Sequence, residues 1–461
     1  MEVSKELLEA AAHSMLQGTP SQQQEAVQFF ETWQNSNNVL ITASRIFLSA
    51  LTSINQNPNI QDNNFTDSLR FIICCVILEV SSSDSWYKYD RESKNEIREN
   101  VLNISYNFSH ARNVSEKLDQ IVANIAFNEW PENWPDFLPM IKNFLDTHID
   151  IKSNKNIFSE NSMHVYRTLF YFLKLISGST KITLARKSQL LNFFIHNLPN
   201  FFNSIFTENS INLNINNINT NLISSQNAYI SLESFLEFTS QLFLVIQSDQ
   251  NITATLSQFL FTTFIEIPSS LIKLYQNTEN SSINPNIQQN VINLEKLSAT
   301  AFNNLSLLLS KSSYLMHLTI PIINLFESIN KASGNEQFQS NRFNSSFCEF
   351  VCNFLLNIIK PIFDSISIEN SPNQNIIAIN ADNAAQFQEL LNLTLVLAPR
   401  DHFCDCFWIL WNTILAQIAA IGNSNNQPSL EIFKQIVTSL LPLILTSFYE
   451  TLPCSTILSR L

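Results

Sequence analysis

The residues best equipped for chemistry lie close together in Asp401-His402-Phe403-Cys404-Asp405-Cys406, a run that invites a zinc site. Helical geometry argues against it. Each residue of a helix turns about 100°, so Cys404 and Cys406 point roughly 200° apart and cannot close on one ion. No second Cys/His pair stands nearby to complete four ligands. Cys348 and Cys352 do share a helical face, but Phe347, Phe350 and Leu355 surround them, which makes them small buried hydrophobes. The seven histidines are scattered, none in H-E-x-x-H, and His110, His148 and His164 have no acid or nucleophile partner in the neighbouring sequence. Only four glycines occur, Gly18, Gly178, Gly334 and Gly422. They cannot build a phosphate loop, a dinucleotide fingerprint or a nucleophile elbow. The residues therefore predict no enzyme, no catalytic residue, no metal and no cofactor.

Carboxylates offer a different chemistry. In Arg91–Phe108, Ile97, Val101, Ile104 and Phe108 form one face, while Glu92, Glu96, Glu99 and Asn103 form another. Such a strip is either solvated surface or a wall for a basic partner. The chain of 461 residues carries a net charge of −13, which disfavours a phosphate backbone and suits basic protein surfaces. No direct nucleic-acid readout is expected. With 45% hydrophobic and 14% charged residues there is ample material for a core. The odd count of seven cysteines on apolar helices reads as reduced thiols in an intracellular protein. The start, MEVSKELLEAAAHSML, lacks the apolar core of a signal peptide. No apolar run reaches the roughly 18 residues of a membrane span, so the protein is expected to be soluble.

The elements that must carry these residues are helices throughout. Apolar periodicity predicts helices over 4–17, from Ser21 (as N-cap, with Gln24 three residues on) to about 35, and over 39–54, 66–80 and 91–108. Ser81–Asp90 is a loop holding Trp86. Val114, Leu118, Ile121, Val122 and Ile125 mark a further helix, followed by two Trp-Pro pairs, Trp130-Pro131 and Trp134-Pro135. A residue before proline is pushed out of the helical region, so Trp130 should end that helix. Pro135 suits the first turn of the next, with Asp136 near its positive end. Beyond residue 150, amphipathic segments are expected near 156–177, 183–206, 226–248, 250–276, 287–312, 314–330, 340–369, 384–398, 399–421 and 428–450. Asn-rich links such as Asn209–Asn221 and Asn277–Asn290 join them. Helix pairs at a period of about 40–47 residues predict an all-α, HEAT-repeat-type α-solenoid (an α-α superhelix) in which each hairpin buries its apolar face on the next. A compact helical bundle is the alternative.

The run E-W-P-x-x-W-P-x-F, Glu129 to Phe137, resembles the corner in the N-terminal domain of exportins, karyopherins of the importin-beta superfamily, in their exportin-1-like and exportin-5-like branches. The preceding helix, the Trp86 loop and the Ile97, Arg98, Val101 pattern resemble the family's second repeat, and the spacing from Trp86 to the corner fits. Trp411-Asn412, inside the aromatic-rich Arg400–Gln417, is similar to a later exportin repeat. The loop at Asn423–Gln427 is short and uncharged where the family carries a longer acidic one. The resemblance implies first HEAT repeats over 1–150 and further exportin-like repeats over 151–461, incomplete at the C-terminal end. It implies a monomer, moving between nucleus and cytoplasm through the nuclear pore, that binds the GTP form of Ran GTPase, Phe-Gly nucleoporins and a protein or ribonucleoprotein cargo. Family members hold Ran on the concave wall made by second helices, here 21–35, 91–108 and 135–146. Gln24, Gln28, Glu31, Glu92, Glu96, Glu99 and Asn103 are then the Ran-facing set. Without the resemblance, the expectation reduces to a HEAT scaffold unrelated to Ran.

Overall fold

The computed structural model describes residues 3–56, 66–148, 160–179, 182–203 and 226–246, with scattered helical positions from 289 onward. The described residues are predominantly helical and include no strand. The candidate zinc run, Cys348, Cys352, the Asn209–Asn221 link and the other link up to residue 288 lie outside them.

The chain divides into two compact units, residues 1–190 and 191–461. In the first, α1 (Lys5–Gln17), α2 (Pro20–Gln34), α3 (Val39–Gln56), α4 (Asp67–Ser82), α5 (Arg91–Asn107), α6 (Arg112–Glu129), α7 (Phe137–His148) and α8 (Glu160–Gly178) follow one another, and α9 (Leu184–Asn203) crosses the division. Caps explain several starts. The Ser4 hydroxyl accepts from Leu7 N, Thr66 from Leu69 N, and the Asp90 carboxylate from Ser93 N, each satisfying an orphan donor of a first turn. The second helix starts earlier than its sequence suggested. Pro20 fills the first helical position, and Gln22 Oε1 accepts from Thr19 N at 2.9 Å, so Thr19/Gln22 replaces the expected Ser21/Gln24.

The helices stack in two rows. One runs α4, α6, α8, each packed on the next, with α1 and α2 resting on α4; the other pairs α3 with α5. Across the rows, α3 packs on α4, α5 on α6 and α7 on α8. Apolar stripes drive this. Leu69, Ile73, Val76 and Ile77 of α4 and Leu118, Ile121, Val122 and Ile125 of α6 are buried, as their three- and four-residue spacing requires. The Ser81–Asp90 loop contains a 3-10 turn, Asp84–Lys88, whose Trp86 is fully buried.

In the second unit, α10 (Gln226–Ile246) buries Phe235, Leu236, Phe238, Leu242 and Phe243, and Phe194 of α9 meets Phe238 at 6.2 Å. Trp411 is also buried.

Candidate functional site

Three structures in the first unit bear on function: the acidic face of α5, the tryptophan corner, and a groove along the α4–α6–α8 row.

Glu92, Glu99 and Asn103 are exposed on α5, as their spacing predicts. Glu96 is not free. Arg45 of α3 grips it with a two-pronged contact, from Nε to Oε1 and from Nη2 to Oε2 at 2.6 Å, and that hydrogen bonding holds the Glu96 carboxyl below the usual range. Asn100 of α5 adds a bond to Ser44 Oγ of α3 at 3.2 Å. Gln24, Gln28 and Glu31 are exposed on α2, which packs on α1 and α4, whereas α5 packs on α3 and α6. The two halves of the candidate set thus ride on helices with different neighbours.

The corner is a hub. Trp130 ends α6, as its place before proline requires, and the Trp130-Pro131 bond is cis. Helix α7 begins at Phe137, two residues later than expected, because Pro135 and Asp136 form a turn in which Phe137 N bonds to Trp134 O at 3.2 Å. Both indoles are buried. Trp130 meets the edge of Phe172 of α8 at 5.8 Å, and Phe172 meets Phe137 at 5.1 Å. Arg98 of α5 lies 5.0 Å above Trp134 and bonds to the Asn133 carbonyl at 3.4 Å. The buried Glu129 carboxylate accepts from Trp86 Nε1 at 2.6 Å and pairs with Lys94 Nζ at 3.2 Å. The corner therefore binds the α4–α5 connection, α5, α6 and α8 through aromatic faces and one carboxylate (an edge-to-face ring pair contributes about 0.5–1.5 kcal/mol beyond its area).

Sequence reading missed the charge cluster inside the α6–α8 seam. His164 has an acid partner after all: its Nδ1 lies 2.8 Å from Asp119 Oδ1. Arg167 Nε donates to Asp119 Oδ2 at 2.7 Å, and its Nη2 reaches Ser115 Oγ. Asp119, His164, Arg167 and Ser115 are all buried. Asp119 and His164 sit 45 residues apart on different helices, so no local spacing signalled the pair. An Asp–His contact can orient a general base. Here the carboxylate is also committed to a guanidinium and the imidazole is sealed from solvent, so the arrangement pins two helices. Nearby, the Tyr106 hydroxyl lies 3.4 Å from Thr168 Oγ1, its ring stacks on Phe144 at 4.8 Å, and burial pushes its phenol up.

On the row's surface, a groove of about 900 Å³ is lined by Leu78 and Glu79 of α4, Asn124 and Phe127 of α6, and Tyr171 and Leu175 of α8, among others. Asn124 and Asn128 donate to Ser82 Oγ at 3.0 Å and to the Ser81 carbonyl at 2.8 Å, which steadies its α4 wall. Among the described residues no three His, Cys, Asp or Glu side chains could together hold a metal, and no helix is long and apolar enough to cross a membrane. Cys74 is buried and Cys75 half-buried, and burial raises both thiols.

The chain matches no protein-family model, and no curated protein matches it.

Proposed function

We propose that the chain is an exportin-like nuclear transport receptor: a HEAT-type α-solenoid that acts by reversible binding and makes or breaks no covalent bond. Its partners are GTP-loaded Ran, Phe-Gly nucleoporins and a protein or ribonucleoprotein cargo, and it works in both nucleus and cytoplasm. The observation that carries this reading is the Glu129–Phe137 corner, with both indoles buried and Arg98 and Phe172 of neighbouring helices packed on them. The stacking of α4 on α6 and α6 on α8 agrees with it, since hairpins of a repeat array each bury their face on the next. In this reading the groove walled by Leu78, Phe127 and Leu175 takes a phenylalanine of the nucleoporin, and the exposed carboxylates Glu92 and Glu99 face Ran. Ran and cargo sites on one flexible array would be energetically coupled, so each partner changes the other's affinity by the same factor.

A second reading, a HEAT scaffold unrelated to Ran, draws support from Glu96, whose carboxylate serves the α3–α5 seam instead of a partner. Immobilised Ran separates the two. A receptor is retained by GTP-loaded Ran and released by GDP-loaded Ran, and Glu92→Lys with Glu99→Lys weakens retention. Equal retention on both forms, or none, leaves the scaffold.

A further inference from the structure

The groove along the α4–α6–α8 row has a polar floor and oppositely charged walls. Gln120, Asn124 and Asn128 recur at every fourth residue of α6, and all three line it. Residues four apart on a helix stand about 6 Å from one another, so these carboxamides form a row slanting gently along α6. Each keeps bonding capacity. Asn124 and Asn128 commit one N–H apiece to the α4 wall, at Ser82 Oγ and the Ser81 carbonyl. Gln120 commits its oxygen to Lys117 Nζ at 3.1 Å. A carboxamide has two N–H donors and an oxygen with two lone pairs, so donors and acceptors both remain along the row.

The walls differ in sign. Glu79 on α4 and Lys174 on α8 are exposed and line the groove. Neither belongs to an ion pair among the described residues. Lys174 Nζ stands 5.6 Å from the centroid of the Phe170 ring, a neighbour on its own helix. Leu78, Phe127 and Leu175 add apolar surface, one from each helix.

We propose that this groove holds an extended peptide edge-on along α6, with Gln120, Asn124 and Asn128 bonding its backbone, a basic side chain against Glu79 and an acidic one against Lys174. An extended chain turns backbone N–H and C=O groups to the same edge at every second residue, about 6.7 Å apart, close to the carboxamide spacing. Its successive side chains point to opposite faces, so those of one parity meet α4 and those of the other meet α8. The occupant is therefore strand-like, apolar at its centre, with opposite charges on its two faces. A bound helix has no free backbone groups along its middle for the carboxamides to engage. The inference rests on the groove being the phenylalanine seat proposed above, and adds what surrounds that side chain; it does not depend on Ran.

Fluorescent peptides titrated into the full chain at low salt, read by anisotropy, test it. The probes are Ser-Arg-Phe-Val-Glu-Ser, the same residues in reverse order, and uncharged Ser-Phe-Gly-Ser. The better charged peptide should bind about fivefold more tightly than the uncharged one, an advantage that shrinks in high salt. Glu79→Lys and Lys174→Glu should each weaken that peptide about fivefold. A peptide with its arginine replaced by glutamate should recover the loss in Glu79→Lys, which separates a lost contact from a damaged fold. Methylating the backbone nitrogens should cost about fivefold to tenfold at residues of one parity and little at the other. An uncharged peptide that binds as tightly as the charged ones overturns the inference and leaves the phenylalanine seat standing. No binding by any probe overturns both, while retention on Ran still decides the receptor reading separately. Equal cost of methylation at both parities, or no recovery by the charge-swapped peptide, also overturns it.

Discussion

Two seams of the first unit are each crossed by an arginine–carboxylate pair, and they work differently. Between α3 and α5, Arg45 and Glu96 meet in the open, with side chains 60% and 34% exposed. Between α6 and α8, Arg167 and Asp119 meet at 2.6 Å with 6% and 0% exposed. In water the first pair exchanges solvent contacts for protein contacts at little net gain. The second pair has no solvent to fall back on, so loss of either partner strands a charge in the interior. The same chemical contact is an accessory in one seam and a structural requirement in the other.

The largest expected effect therefore belongs to Asp119→Asn. It keeps the shape but leaves Arg167 uncompensated, and should cost about 3–5 kcal/mol, read as a fall in the urea midpoint with unchanged slope. Glu129→Gln comes next, at about 1–3 kcal/mol, because Trp86 Nε1 and Lys94 lose a buried carboxylate. If both variants cost no more than an ordinary surface substitution, the interior placement of these charges is wrong.

A pH titration sharpens the contrast. Burial, and to a lesser degree the charges of Arg70 and His164, push His110 below its ordinary value of 6.5, while its bond to the Ile104 carbonyl and the charge of Asp119 pull the other way. The folded state then binds fewer protons than the unfolded state as pH falls through 6.5. Stability from His110 is full above that value and is lost on acidification towards its folded pKa. Urea midpoints between pH 7.5 and 5 should fall in wild type and fall less in His110→Gln. The carboxylates held low by hydrogen bonds, Asp90 by Ser93 and Glu96 by Arg45, act in a separate window. They contribute above their ordinary values of 3.8 and 4.5 and lose that contribution only below them. The smallest effect is Glu96→Gln at neutral pH, whose midpoint should be hard to distinguish from wild type at physiological salt.

How much of this was legible in the sequence depends on range. Helices announced themselves through Leu69, Ile73 and Ile77 or Leu118, Val122 and Ile125, because a 3.6-residue period leaves its mark locally. Trp130 stopped α6 for a reason carried by the very next residue. Local rules also misled locally: Ser21 looked like a cap, but Pro20 before it already belonged to the helix, and Pro135 spent its turn before α7 began. The acidic strip was visible as Glu92, Glu96, Glu99 and Asn103, but the partner that removes Glu96 from it stands 51 residues away. Asp119, His164 and Arg167 were invisible as a group, since the carboxylate stands 45 and 48 residues from its partners, on a different helix. The position of α2 beside α4 follows from packing between hairpins, which no window of sequence contains.

Burial, not the identity of the ion pair, decides which seam holds the stack together. Double-mutant cycles measure this directly: Asp119→Ala and Arg167→Ala alone and combined, beside Arg45→Ala and Glu96→Ala alone and combined. A coupling of about 2 kcal/mol or more is expected across α6–α8 and one near zero across α3–α5. Equal couplings in the two seams, or the larger one at Arg45–Glu96, would contradict it.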